Sequence, residues 1–132
     1  MTDVFYHEVD YCTLNVKRRF HHRSISFIYP IAQVLYVQER WIVRLEPDPQ
    51  DIQKNLDKAM CNVYAVTSYA EIVWQLHNPH SKAKSIPPRM PIQHLWINDD
   101  GWVDGMNVFG QIYRIRLDGL MVPINFNWSQ RF

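Results

Sequence analysis

A mainly β fold of antiparallel hairpins is predicted for this chain by three observations. Apolar residues alternate with polar ones at period two, aromatic and β-branched residues are abundant, and turn signals recur between the apolar runs. Of the 132 residues 47% are hydrophobic, 20% charged and 14% aromatic, with five Trp and seven Tyr. That balance belongs to a folded protein, and the length suits one domain, 1–132, with a core of its own.

Residues 1–24 carry the weakest pattern and read as a loosely ordered N-terminal arm, with room for one short strand through Val9, Tyr11 and Thr13. An apolar-aromatic run from Ile25 to Tyr29 then stops at Pro30. Ile31–Gln38 and Trp41–Glu46 form a hairpin about Glu39-Arg40, with Trp41, Val43 and Leu45 on one face and Arg44 on the other. Pro47-Asp48-Pro49 ends it, since proline cannot donate to a ladder. Over 50–60, Ile52, Leu56 and Ala59 recur at helical spacing after Asp48 and Asp51, which predicts the one short, Asp-capped helix.

A second hairpin runs from 62–67 to 71–76 around Ser68-Tyr69-Ala70. The segment 77–91 has no periodicity and four prolines, and reads as a long loop. Beyond it the alternation is clearest. Ile92–Asn98 turns at Asp100-Gly101 into Trp102–Met106, and Gln111–Leu117 turns at Asp118-Gly119 into a final run interrupted by Pro123. About eight strands in an antiparallel meander are expected, forming a curved sheet, a sandwich or a partial barrel.

Asn62-Val63-Tyr64-Ala65-Val66 followed by Ile72-Val73-Trp74-Gln75-Leu76 resembles a single blade of a quinoprotein-type β-propeller. The stretch Asn107 to Ile115 with Asp118-Gly119 has the same cadence, so the likeness spans about half the chain. Small stand-alone bacterial β proteins of unknown function are similar in the same way. The resemblance implies β-hairpins and transfers no active site. Thr67 stands where the blade has a turn Asp, and Ala70 where it has a turn Gly.

The sequence carries no G-x-S-x-G elbow, P-loop or G-x-G-x-x-G fingerprint, so no cofactor is expected and a binding role is favoured over catalysis. A net charge of +1 argues against wholesale attraction to nucleic acid or an anionic surface. No apolar run reaches the length of a membrane span. With no export signal, Cys12 and Cys61 read as reduced, buried thiols of a cytoplasmic protein.

Three constellations remain. The indoles exceed the needs of so small a core, and Trp96, Trp102, Tyr113, Arg114 and Arg116 are residue types that anchor interfaces. They predict an aromatic-rich sheet face or edge that binds an unknown protein partner or a second copy in a homodimer. An alternative is a small-ligand or enzyme pocket near His77, His80 and His94, whose spacing predicts no metal site. Another is nucleic-acid contact through Lys17, Arg18, Arg19 and Arg23, with Phe20 between them. Asp99, Asp100 and Asp104 read as turn residues rather than cation ligands.

Overall fold

The structure, a computed structural model, describes residues 5–18, 20–76, 90–116, 119 and 121–124. Among the described residues three antiparallel sheets follow one another along the chain, each a plain up-and-down meander, and none closes into a barrel. The first contains β1 (Phe5–Asp10), β2 (Thr13–Arg18) and β3 (His21–Ser26). The second contains β4 (Ile31–Val37), β5 (Arg40–Leu45), β6 (Val63–Val66) and β7 (Ile72–Gln75). The third contains β8 (Ile92–Ile97), β9 (Val103–Asn107), β10 (Ile112–Ile115) and β11 (Met121–Pro123).

The main departure from expectation lies at the N-terminus. Where the sequence suggests a loose arm with one short strand, residues 5–26 form a three-stranded sheet. Among the described side chains its inner face holds the aliphatic Leu14, Val16 and Ile25 against the second sheet, too few apolar positions to dominate a periodicity reading. Neighbouring strands supply the missing order, since Val9, Leu14 and Ile25 lie side by side across the ladder.

Strand alternation divides β5 between two cores. Trp41, Val43 and Leu45 pack with Leu14, Val16 and Tyr29. Ile42 turns the other way, towards Val63, Ala65, Trp74, Leu95, Val103, Tyr113 and Ile115. The second sheet is therefore covered on both faces, by the first sheet and by the third. Burying one aliphatic side chain on such a strand stabilises by roughly 1.5–3 kcal/mol, which makes β5 the strand least tolerant of a polar substitution.

Two side-chain amides, the buried Asn62 and the half-buried Gln33, join the second and third sheets. Asn62, 1% exposed, donates through Nδ2 to Leu45 O at 2.9 Å and Ile92 O at 2.8 Å, and its Oδ1 accepts from Ile92 N at 3.1 Å. Gln33 does the same for Leu95, donating to its O at 2.6 Å and accepting from its N at 2.9 Å. Ile92 and Leu95 lie on the outer edge of β8, and the irregularity between Ile92 and His94 lets both side chains face the core despite their odd spacing. Side-chain amides thus take the place of a neighbouring strand.

The expected helix over 50–60 is two short pieces, α1 (Pro49–Lys54) and α2 (Leu56–Met60), broken at Asn55, whose φ of −144° is not helical. Asp48 caps α1 by accepting from Gln50 N at 2.8 Å, as the sequence predicts. Tyr29, in the β3–β4 connection, donates to Asp51 Oδ2 at 2.7 Å and pins α1 to the body.

One turn recurs through the second and third sheets. Asn98 Oδ1 accepts from the backbone N–H of Asp100 and Trp102, and Asn107 Oδ1 from those of Phe109 and Gln111. Gly101 and Gly110 close these turns at φ of +81° and +78°. Thr67 Oγ1 likewise accepts from Tyr69 N and Glu71 N, with Ala70 at φ +62° in the glycine position. Thr67 and Ala70 therefore occupy the two positions at which the blade-like sequence departs from Asp and Gly.

Candidate interaction face

The outer face of the third sheet is built by alternation and register. Leu95, Val103, Tyr113 and Ile115 point into the core, so Trp96, Asp104 and Arg114 point away from it. Trp96 lies opposite Asp104, Asp104 opposite Arg114, and Arg114 opposite Val122, which makes one row across all four strands. A second row runs from His94 through Met106 to Ile112. His94 and Trp96 lie two residues apart with their rings stacked at 5.8 Å.

Asp104 anchors this face. Although it points outward, it is only 5% exposed. Its Oδ1 accepts from Asn98 Nδ2 at 3.2 Å and from Arg114 Nε at 3.4 Å. A second carboxylate, Asp100, lies 4.0 Å from Arg114 Nη2. The guanidinium is thereby held across the sheet while almost half of its side chain remains exposed. Beside it, Gly105 lets Ile92 and Leu95 pack close to the backbone on the inner side, where a Cβ would meet them at 3.1 Å and 3.2 Å.

Of the five interface residues expected from sequence, the structure brings Trp96 and Arg114 together through Asp104. Arg116 lies just beyond the end of β10 and lines a narrow apolar crevice with Trp102, Trp74, Ile42 and Arg40, of about 20 Å³. Tyr113 takes no part in the outer face. One residue from Arg114 on a strand, it points into the core at 6% exposure, and its hydroxyl donates to Gln111 Oε1 at 3.2 Å. Burial pushes its hydroxyl above the ordinary tyrosine pKa. Met106, Ile112 and Val122 were not singled out from sequence, although their period-two spacing with Asp104 and Arg114 carries the signal.

Buried indoles are expected to find hydrogen-bond partners, yet Trp41 and Trp74 Nε1 have none among the described residues. Trp41 instead sits against the rings of His7 at 4.7 Å and Tyr36 at 4.4 Å.

The histidine grouping is only partly placed. His94 belongs to the outer face just described, whereas His77 and His80 lie outside the described residues, as does most of the 77–91 loop. Among the described residues no group of three His, Cys, Asp or Glu is arranged to hold a metal ion. A cleft of about 110 Å³ near the start of β8 is lined by Glu46, Ile52, Met90, Pro91 and Val108, among others, and by no histidine among the described residues.

The basic segment is spread across the β2–β3 hairpin. Lys17 pairs with Glu8 at 3.1 Å on the outer side of the first sheet. Arg23 lies in register with Val16, on the opposite face, and Arg18 pairs across the ladder with His21. Alternation thus separates residues that are adjacent in sequence. Arg19 lies outside the described residues. Cys12 and Cys61 are not joined in a disulfide and are half-buried rather than buried.

No described helix is long and apolar enough to cross a membrane. No protein-family model matches the chain, and no curated protein and no solved structure matches it.

Proposed function

We propose that this protein is a non-enzymatic binding module that engages a protein partner through the outer face of its third sheet. The observation that carries this reading is the Trp96–Asp104–Arg114–Val122 row with Met106 and Ile112 beside it. A half-buried indole and an arginine oriented by a buried carboxylate lie among aliphatic side chains, the composition of an interface centre with its orienting polar group. The Arg114 side chain is held by its two carboxylates, so less conformational entropy is lost when a partner closes over it.

Site-specific photo-cross-linking in cells tests the reading. Met106→p-benzoylphenylalanine is expected to give a discrete covalent adduct on illumination. The same probe at Ser24, on the outer face of the first sheet, is expected to give none. Absence of any adduct from position 106, with the protein folded and abundant, would refute the binding role.

A further inference from the structure

We infer that the partner on this face is a second copy of the same chain, packed face to face about a two-fold axis. This rests on the binding role proposed above and adds the identity of the partner. The two ends of the stack differ. At one end, the outer side of the first sheet is polar, with cross-strand bonds of its own: Thr13 Oγ1 to Ser26 Oγ at 2.8 Å, Ser24 Oγ to Asn15 Oδ1 at 2.6 Å, and Lys17 to Glu8. Stacked β units need such a polar terminal face to end against water. At the other end, the third sheet carries the exposed Val122 and the half-buried Trp96, Met106 and Ile112 around Arg114.

That asymmetry decides the mode of assembly. Head-to-tail stacking would set an apolar face on a polar one whose groups already bond one another, and it would not close. An isologous contact buries both apolar faces and leaves both polar faces outside.

Register makes the face complementary to itself. The strand order is β11-β10-β9-β8. A two-fold axis along the strands, midway between β9 and β10, exchanges β9 with β10 and β8 with β11. Rows that lie side by side in one sheet then lie face to face between two. Arg114 comes over the buried Asp104 of the second copy and beside its exposed Asp100, the carboxylate within its reach, with Met106 over Ile112 and Trp96 over Val122. Each copy supplies both the guanidinium and the carboxylates, so charge and apolar area match under one operation. The sheets meet at the roughly 10 Å spacing of aligned packing.

Sedimentation velocity on the purified full chain tests the arrangement. Concentration-dependent formation of a species of twice the chain mass is expected. Met106→Glu and Arg114→Glu should each raise the dimer dissociation constant at least tenfold with the far-ultraviolet circular dichroism unchanged. Ser24→Glu should leave it unaltered, and Arg114→Glu with Asp100→Arg in the same chain should recover part of the loss. A monomer at all concentrations overturns the inference. If the photo-adduct from position 106 then has the mass of a different protein, the binding role stands and the second copy does not. An adduct at monomer mass joining position 106 to residues 125–132 would assign the face to the chain's own C-terminus and also overturn it. Dimerisation insensitive to both Met106→Glu and Arg114→Glu would place the contact elsewhere, with the same consequence.

Discussion

Replacing Asn62 by alanine tests the account of how the third sheet is attached. The amide makes three bonds at a site 1% exposed, so its removal strands Ile92 N–H, Ile92 C=O and the share of Leu45 C=O that it satisfies. A buried backbone group left unpaired costs about 1–3 kcal/mol, carbonyls less than N–H groups, and a water entering the vacated space offsets part of the sum. The expected loss is about 3–5 kcal/mol, a large fraction of the roughly 5–15 kcal/mol that holds a domain together. In urea, with a slope of about 2 kcal/mol/M, the midpoint should fall by about 1.5–2.5 M at unchanged slope.

Asn62→Asp sharpens the test by keeping shape and volume. At neutral pH an ionised carboxylate would face the carbonyl oxygens of Leu45 and Ile92, so the variant should be no more stable than the alanine one. Burial and those oxygens would raise its folded-state pKa above the unfolded value of about 3.9. The folded state then binds more protons, so the deficit should shrink as the pH is lowered towards that value. A loss below about 1 kcal/mol for Asn62→Ala, or a pH-independent Asn62→Asp, would refute the role assigned to the amide.

Two further outcomes follow from the turns and the buried phenols. Gly101→Ala and Gly110→Ala meet no atom within 4 Å, so each should lose about 1–2 kcal/mol by thermal or urea unfolding, from left-handed backbone strain alone. Tyr29, Tyr64 and Tyr113 all have pKa values raised, chiefly by burial and for Tyr29 also by its bond to Asp51. Below the ordinary value of about 10 each phenol is neutral in both states. Above it only the unfolded chain ionises, so stability should fall as pH rises beyond 10, and Tyr29→Phe should flatten that decline by up to about 1.4 kcal/mol per pH unit.

Legibility along this chain tracks how far each signal depends on neighbours in sequence. The hairpins expected around Glu39-Arg40, Ser68-Tyr69-Ala70 and Asp100-Gly101 were readable because alternation and turn chemistry act within a few residues, although the first turns one residue earlier, at Gln38-Glu39. Even there, Gln38 and Glu39 adopt φ of +50° and +64°, a left-handed pair that an Asn-Gly signal would have announced and these residues do not. The helix was readable as a helix but not as two pieces, because the break at Asn55 appears only in backbone angles. The first sheet escaped notice because its order comes from packing on β5 rather than from its own pattern.

The candidate face divides in the same way. Trp96 and Arg114 were legible as residue types suited to an interface, but their adjacency depends on Asp104 lying between them, and strand order alone creates that row. Tyr113 shares a strand with Arg114 and still serves the core, which alternation implies once the strand is known.

By itself the sequence determined the β class, most of the hairpins, the Asp48 cap and the absence of familiar catalytic motifs. Those depend on side-chain alternation, turn residues and short-range hydrogen bonding, all written within a few positions. Only the tertiary structure decided that the strands divide into three stacked meanders, that Asn62 and Gln33 join two of them, and that one end is polar while the other sets Trp96, Met106, Ile112 and Val122 around Arg114. Each of these requires groups up to 62 positions apart to meet, as Gln33 and Leu95 do, and period-two alternation does not specify such encounters.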